Sequence, residues 1–521
     1  MKPQSNIALT KFYALAFGLF LGLCIWKFGN PVILDHVVVA PATGSDWLND
    51  AWPPHWAGWV LAPLAAWGAL LVFQGGSFKL PSSWLWVLPL GWLGWQFLAA
   101  TQTVDAGLTG FTLWQFCGCV TCYFLGALLL AHRQVVGWLW IGVLAAFAFC
   151  LVRAVDQRVY EYPQNFQALT EGERVGWTNF PPAAVAEMKS QGIILLTNGM
   201  EAANPLILAK FAKGRVSGTL VYPNALAELI LLLWPVSLAL AFSASRQLRP
   251  SVRLAAVALT VFLGGASFFW SGSKLGWLIG IVVLGLALLR LDWPKQLKLA
   301  AVAAVLVLGL GVFALRFHHY FAAGATSAGA RFDYWRAAAQ TTAMHPWMGT
   351  GPGTFQRPYA LLKSPQSEMA RLVHNDYLEQ FSDSGIPGGL AYTAWILFAL
   401  TSLGRKLWRS DGLPPPRSDS HRGQKAAASK FAKAPGALLP NPQGDGQGES
   451  GRSTISLPAA GPASSGIGSK AHFPFAIFLG LLGWFAQGLG EFGLFVPALA
   501  WTAFTLLGCL IGQAGGDRAN S

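Results

Sequence analysis

Twelve apolar runs, each close to the length that crosses a lipid bilayer, constrain this sequence most. A helix needs about 20 apolar residues to span a hydrocarbon core ~30 Å thick. The runs lie near residues 10–28, 56–74, 83–100, 111–131, 135–152, 219–242, 254–271, 275–290, 299–317, 386–404, 473–490 and 495–512. They predict an all-α polytopic membrane protein with about 12 transmembrane helices and two folded outer-face loops.

The low content of charged residues excludes an ordinary soluble enzyme. Only 11% of the 521 residues are Asp, Glu, Lys or Arg, against roughly 25% in soluble domains. The chain has six Cys, too few for a disulfide-dense scaffold. With these classes excluded, the composition indicates a membrane protein.

The positions of the charges predict the orientation of the chain. The first run follows Lys2 and Lys11 and has no cleavage site after it, so we expect a retained signal anchor with a cytoplasmic N-terminus. Twelve alternating spans then place 21 Lys and Arg but only six acids in the cytoplasm. Outer segments hold 15 cations and 16 acids, Glu491 among them. The net charge of +13 is therefore a cytoplasmic topology signal, both termini are predicted to be cytoplasmic, and no nucleic-acid partner is expected.

Three long segments separate the spans and divide the chain. The cytoplasmic one contains 28 Pro, Gly and Ser among 68 residues, a composition typical of disorder. The two outer ones interleave aromatic and charged residues, so we expect them to fold and to carry the functional groups. The predicted divisions are 1–152 (transmembrane helices 1–5), 153–217 (first large periplasmic loop), 218–317 (helices 6–9), 318–385 (second large periplasmic loop with the signature motif), 386–404 (helix 10), 405–472 (disordered cytoplasmic linker) and 473–521 (helices 11–12 and tail).

The densest group of reactive side chains leads from the second outer loop into the tenth span. At helical spacing Asp376, Glu379 and Asp383 share one face, and His374 lies about one turn before them. A neutral imidazole can accept a proton from a hydroxyl group, and a carboxylate can orient the ring. The alternative is an interfacial histidine packed among aromatic residues.

Three sequence elements resemble the O-antigen ligase and polymerase superfamily, whose members handle polyprenyl-diphosphate-linked glycans. The first is H-N-x-x-L-E-x-x-x-D-x-G-I-x-G at residues 374–388. The second is R-x-x-x-W at 331–335 followed by H-P-W-M-G-T-G-P-G-T-F at 345–355. The third is R-V-S-G-T-L-x-x-P-N-x-L-A at 215–227. They occur in the family's order, and the twelve-span layout is similar to the family's.

The resemblance implies a metal-independent, cofactor-free glycosyltransferase at the periplasmic face of the bacterial inner membrane. The donor would be a glycan on polyprenyl (undecaprenyl) diphosphate, and membrane lipids would surround the protein. The acceptor would be the lipid A core for a ligase, another lipid-linked glycan for a polymerase, or a protein Ser or Thr for an oligosaccharyltransferase. His374 would be the general base, with Asp376 or Glu379 orienting it.

A diphosphate leaving group needs fixed cations, because negative charge grows on it as the glycosidic bond breaks. The predicted diphosphate-binding residues on the outer side are Arg215, Lys274, Arg331, Arg336 and Arg371. Many family members have Arg where this chain has Lys274, which keeps the charge but loses the bidentate fork. Arg336 and Arg371 could instead extend their charged ends to the membrane surface.

Two other classes of function stay open from the sequence. A twelve-span transporter or flippase of lipid-linked sugars would use ionisable groups near the bilayer midplane, and Glu228 lies within the sixth span. Glu228 could pair with a cation of the site or be protonated and bonded to a neighbouring helix. A non-catalytic assembly subunit is the third class, but it would leave the outer cations without a substrate.

Two further motifs are expected to be structural. Residues 349–353 read G-x-G-x-G but lack the lysine of a nucleotide-binding loop, so we interpret them as a tight turn. Cys117, Cys119 and Cys122 lie within one span, where the three sulfurs cannot share a helical face. We therefore expect buried free thiols and no metal site.

Overall fold

The computed structural model describes residues 3–74, 84–132, 134–197, 199–244, 249–322, 324–409 and 469–516. Its regular elements are, in chain order, α1 (Pro3–Lys27), α2 (Gly44–Asn49), α3 (His55–Gln74), α4 (Trp84–Ala100), α5 (Ala106–Leu125), α6 (Val136–Asp156), α7 (Tyr162–Arg174), α8 (Pro182–Ser190), β1 (Ile194–Thr197), β2 (Met200–Ala203), α9 (Pro205–Lys213), α10 (Pro223–Ala244), α11 (Pro250–Ser271), α12 (Lys274–Leu289), α13 (Lys295–Ala322), α14 (Thr326–Met344), α15 (Gln356–Leu362), α16 (Asp376–Arg409), α17 (Ser469–Gln487) and α18 (Pro497–Gly516).

A helix lies on each of the twelve predicted apolar runs. In the described part of the chain, nine helices are long and apolar enough to cross a membrane by length and composition. Two others, α12 and α17, are apolar but shorter. The remaining one, α4, has 17 residues with Pro89 inside it. The structure is therefore that of a largely helical membrane protein.

The first outer segment, predicted as residues 153–217, folds into a small layer with its own core. A π-type turn over Gln157–Glu161 joins α6 to α7 without a break. Leu169, Trp177, Ile194 and Ala203 form the buried cluster of this layer. Strands β1 and β2 pair antiparallel, with Ile194 opposite Ala203. The described chain is otherwise helical, as predicted, and these four-residue strands are too short to produce a periodic sequence signal.

The predicted ends of the second outer segment also shift. Helix α13 continues through Ala322, beyond the expected end of its span at residue 317. Helix α16 begins at Asp376, before the expected start at residue 386. The predicted linker 405–472 starts inside α16 and ends inside α17. Its residues 410–468 lie outside the described residues.

The helices pack around a core rich in aromatic and aliphatic side chains. Helix α1 lies directly against α6. At Gly18 the two helices are so close that a Cβ atom would overlap the carbonyl group of Leu139. At one end of the bundle, Arg290 of α12 donates a hydrogen bond to the carbonyl oxygen of Leu407 in α16.

The segments that carry the predicted site lie at the opposite end of the bundle. Val216 donates its backbone N–H to the carbonyl oxygen of Trp270, which joins the segment before α10 to the end of α11. Asp376, at the start of α16, donates its backbone N–H to Gly488 in the loop between α17 and α18. Four helix ends therefore meet in one place.

Candidate active site

A buried carboxylate, Glu491, lies at the centre of the predicted site residues. Its Oε1 atom accepts hydrogen bonds from the guanidinium of Arg331 at 2.5 Å and from the side-chain amide of Asn224 at 2.6 Å. Its Oε2 atom accepts one from the Tyr222 hydroxyl at 3.1 Å and lies 3.4 Å from Nδ1 of His374. The Glu491 side chain is 1% exposed. It therefore joins the predicted base to a predicted cation.

The loop between α17 and α18, residues 488–496, is held in place by Asp376. The Asp376 carboxylate accepts the backbone N–H of Leu494, and the Asp376 N–H donates to the carbonyl oxygens of Gly488 and Glu491. Asp376 is buried and makes no contact with the imidazole of His374. Its part in the site is to fix the loop that carries Glu491.

His374 lies just before α16 with a left-handed backbone (φ 56°). Asn375 caps the helix, since its side-chain oxygen accepts the backbone N–H groups of Tyr377 and Leu378. The imidazole packs edge-on against Phe492 at 4.7 Å, and 28% of the side chain is exposed. A non-glycine residue with positive φ is uncommon and is retained where its surroundings hold it. The ring is therefore held on one side and accessible on the other.

Glu379 and Asp383 accept hydrogen bonds from backbone N–H groups and form none with the histidine ring. Glu379 is fully buried, and its Oε2 atom accepts the N–H of Val373 at 3.2 Å. Asp383 accepts the N–H of Gly353 at 2.6 Å. The carboxylate within hydrogen-bond distance of the ring is Glu491, in the loop between α17 and α18. That Asp376 or Glu379 orients His374 stays a prediction.

Arg215 reaches the same carboxylate through an asparagine. Its Nε atom donates to the carbonyl oxygen of Ser271 at 2.8 Å, and its terminal nitrogen donates to the Asn224 side-chain oxygen at 2.7 Å. Asn224 in turn donates to Glu491. Burial lowers the pKa of the Arg215 guanidinium, and the negative charge of Glu491 opposes that shift. The direction of the Arg215 side chain is therefore fixed by two hydrogen-bond partners, Ser271 and Asn224.

The Tyr222 hydroxyl is a fixed donor to the same group. Burial, and next the charge of Glu491, raise the pKa of this hydroxyl well above its usual value. The phenol accordingly stays protonated and donates to Glu491. Its ring stacks on Phe492 at 4.8 Å, beside the histidine.

Lys274 is the first residue of α12, and the Ser273 side chain caps that helix. The ammonium lies 3.9 Å from the centre of the Tyr320 ring, a cation–π contact. The charges of Arg215, Arg331 and Arg316 all act on it. The predicted cations Arg215, Lys274 and Arg331 are therefore neighbours, and Arg316 joins them although the sequence argument did not select it.

Two predicted cations stay outside this cluster. The side chains of Arg336 and Arg371 are exposed. Neither makes a hydrogen bond or an ion pair with the part of the chain that the structure describes. The structure therefore does not bring them together with Arg215, Lys274 and Arg331.

Glu228 is buried within α10, beside the loop that carries Glu491. A Cβ atom at Gly493 would overlap its carboxylate. Among the described residues, Glu228 forms no ion pair, and the side chain of Trp484 lies beside its carboxylate. Of the two alternatives that the sequence leaves open, the pairing with a cation of the site is not observed.

The G-x-G-x-G segment is a tight turn, as predicted. Gly349, Gly351 and Gly353 all have positive φ. The turn packs against a break in α16 at Gly385, whose φ and ψ are 70° and −177°. Ile386 donates its N–H to the carbonyl oxygen of Pro346 at 2.7 Å across this contact. The break and the turn together direct the first part of α16, and hence His374, towards Glu491.

A Gly385→Ala variant is expected to unfold at a lower temperature and to lose activity. Its backbone lies in a region that is essentially restricted to glycine, where strain costs on the order of 1–3 kcal/mol, and a Cβ atom would overlap the carbonyl oxygen of Trp347. Thermal unfolding in detergent, followed by tryptophan fluorescence, measures the change. Gly94→Ala is the matched control, since Gly94 lies within α4 with open space around it. An unchanged midpoint for Gly385→Ala would contradict the assigned role of the break.

The cysteines and other metal-ligating side chains are dispersed. In the described ranges, no group of three or more His, Cys, Asp or Glu could hold a metal ion. Cys119 and Cys122 are buried free thiols, and Cys117 is partly buried.

Glu491, the residue that connects the site, is not among the site residues predicted from the sequence. Glu491 was counted only among the outer acids, although it is the single charged residue between the last two apolar runs. Lys274 is likewise the single charged residue of a short outer hairpin, between the apolar runs at 254–271 and 275–290. A search for lone charges in the short outer hairpins therefore selects both Lys274 and Glu491.

Comparison with known proteins agrees with these elements. The family model described as O-antigen ligase matches residues 259–393. That range contains Lys274, Arg331 and His374 but neither Arg215 nor Glu491. No curated protein matches the chain. The match at residues 259–393 supports the relationship of this chain to the O-antigen ligase superfamily.

Proposed function

We propose that the protein transfers a glycan from a polyprenyl diphosphate carrier to an acceptor hydroxyl at the periplasmic face of the bacterial inner membrane. The observation that carries this proposal is the Glu491 network, which joins His374 to Arg331 directly and to Arg215 through Asn224. A base and a group of cations next to each other are what displacement of a diphosphate requires.

His374 is the proposed general base. When its Nδ1 atom carries the proton and donates to Glu491, its Nε2 atom retains a lone pair. Nε2 then takes the proton of the acceptor hydroxyl as the new bond from that oxygen to the anomeric carbon forms. The bond from the anomeric carbon to the diphosphate oxygen breaks, and its electron pair leaves with the diphosphate. Glu491 stabilises the imidazolium and is a positioning residue.

The cations Arg215, Lys274 and Arg331 are the proposed diphosphate site. Among the described residues, Glu491 is the one carboxylate that hydrogen-bonds within this group, so the three cations leave a positive excess for an anionic ligand. Fixed positive charge is most effective at the leaving group, where charge develops. The protein's own cations supply this neutralisation in the proposal, without a metal ion.

Reconstitution of the protein with lipid-linked glycan tests the proposed reaction. Vesicles would contain the purified chain, the glycan lipids extracted from a strain that lacks the gene, and either lipid A core or a second lipid-linked glycan as acceptor. We expect a new glycosidic product, detected by mass spectrometry, together with free polyprenyl diphosphate. Movement of the donor across the bilayer without a new bond would support a flippase and contradict the proposal. The acceptor that reacts distinguishes a ligase from a polymerase.

A Lys274→Ala variant is expected to lower kcat/KM for the lipid-linked donor by about 10²- to 10³-fold, the usual loss when one charge-stabilising group is removed. Lys274→Arg should retain most of the rate, because the charge is kept. Arg336→Ala and Arg371→Ala serve as controls, since both side chains are exposed outside the cluster. Initial rates over a range of donor concentrations measure all four. Equal losses for Lys274 and the two controls would mean that the cluster does not bind the donor.

A further inference from the structure

A cavity of about 340 Å³ lies next to the candidate active site. It opens between the ends of α1 and α6, the π-type turn, α9 and the turn formed by residues 217–221. His374, Lys274, Arg331 and Glu491 do not line it. Its volume is within the range of small-molecule sites in proteins.

One wall of the cavity is a row of three polar side chains. Arg153, Gln157 and Glu161 follow each other at four-residue spacing along α6 and the π-type turn. Such turns inside helices occur frequently at functional sites. Arg153 pairs with Glu161 at 2.8 Å and also with Asp156. A cation, an amide and a carboxylate are thus presented side by side.

Gln157 both shapes the cavity and keeps one donor free. Its Oε1 atom accepts the backbone N–H groups of Ser217 and Gly218, and its Nε2 atom donates to the carbonyl oxygen of Gly218. A side-chain amide has two N–H donors, so the second is available to a ligand. The same bonds fix segment 217–221 as the facing wall.

Aromatic rings complete the lining. Trp26 and Phe149 meet edge to face at 5.6 Å, and Tyr162 lies 5.4 Å from Phe211. Rings beside fixed polar groups suit a ligand that has apolar C–H faces and hydroxyl edges. A sugar ring has both.

The charge at the cavity favours a neutral ligand over a phosphate group. Arg153 is already matched by the carboxylates of Asp156 and Glu161. The other cation at the rim, Lys210, is exposed. A phosphate would have to displace an existing ion pair, whereas a hydroxyl can accept from Arg153 and donate to Glu161 with the pair intact.

We propose that this cavity binds a neutral sugar residue of the glycan substrate, which rests on the glycan transfer proposed above. Segment 217–221, which lines the cavity, lies in the chain between two residues of the candidate active site. Arg215 and Tyr222, at its two ends, both reach the Glu491 network. A sugar held on one side of the segment therefore lies beside the reacting groups on the other.

Binding of a lipid-free glycan tests the site separately from catalysis. The probe is the oligosaccharide released by mild acid hydrolysis from the lipid-linked glycans of the host strain, titrated into the full-length protein in detergent by calorimetry. We expect wild type and His374→Ala to bind it alike. Glu161→Ala and Phe149→Ala should weaken binding by about tenfold or more. Glu171→Ala is the matched control, since Glu171 is an exposed acid on α7, paired with Arg174 and outside the cavity.

Glu161→Ala should still fold, because Arg153 keeps Asp156 as a partner, and its thermal midpoint checks this. In the transfer assay it should raise KM for the glycan substrate and leave kcat near wild type. The proposal would be overturned if the wild-type protein does not bind the probe, or if Glu161→Ala binds it equally well. It would also be overturned if dihexanoylphosphatidylglycerol displaces the probe, because the cavity would then be a lipid site. If the probe binds but no glycan is transferred, the proposed function fails and this site stands. If glycan is transferred but the probe does not bind, the proposed function stands and this site fails.

Discussion

Replacement of His374 by alanine is expected to reduce glycan transfer by about 10²- to 10⁴-fold, the contribution of a general base. The loss should fall on kcat, because the imidazole acts on the acceptor proton and the cations that bind the donor stay in place. Rates of product formation in vesicles, with donor and acceptor both saturating, measure this effect.

His374→Asn separates chemistry from backbone strain. His374 has a positive φ, a conformation that asparagine tolerates far better than alanine. The asparagine variant should therefore fold like the wild type and still be inactive, because an amide cannot act as the base. His345→Ala is the control, since His345 is an exposed histidine of the same outer segment. A well-folded His374→Asn protein that transfers glycan at the normal rate would exclude His374 as the base.

Replacement of Glu491 by alanine is expected to lower both stability and activity. The change removes the partner of Arg331, Asn224 and Tyr222 at once. Removing one partner of a buried ion pair typically destabilises a protein by about 3–5 kcal/mol. Because Arg331 is partly exposed, we expect the loss of stability to be near the lower end of that range. The imidazole of His374 also loses the group that orients it. Thermal unfolding and transfer rates measure the two effects separately.

Glu491→Gln distinguishes a positioning role from a purely structural one. The glutamine can still accept from Arg331 and Asn224, so we expect a midpoint nearer to wild type than that of Glu491→Ala. The negative charge that stabilises the imidazolium is lost, so kcat should remain low. Glu171→Ala again serves as the control, as an exposed ion-paired acid. Wild-type kcat in Glu491→Gln would mean that Glu491 only holds the loop.

Hydropathy alone located the helices well, because each span must be apolar over a length set by the bilayer. The ends of the helices were less predictable. Helix α16 starts at Asp376 although polar residues fill its first turns, since these are buried against the 345–355 turn and the 488–496 loop and are not exposed to lipid. The β1–β2 hairpin left no periodic signal in the sequence.

The site was predictable as far as it is local in sequence. His374, Arg331, Lys274 and Arg215 were selected from their motifs, and the structure places all four at one end of the bundle. The role of each carboxylate was not predictable. Asp376 and Glu379 lie close to His374 along the chain, but their oxygens face backbone N–H groups.

The sequence by itself determined the positions of the helices and the residues within each motif, because these depend on local composition and spacing. Only the tertiary structure decided which carboxylate meets the histidine. Glu491 is 117 residues from His374, and Gln157 is 60 residues from the segment that it fixes. Such contacts depend on how separate helices pack, and the side-chain pattern of any one helix does not encode its neighbours.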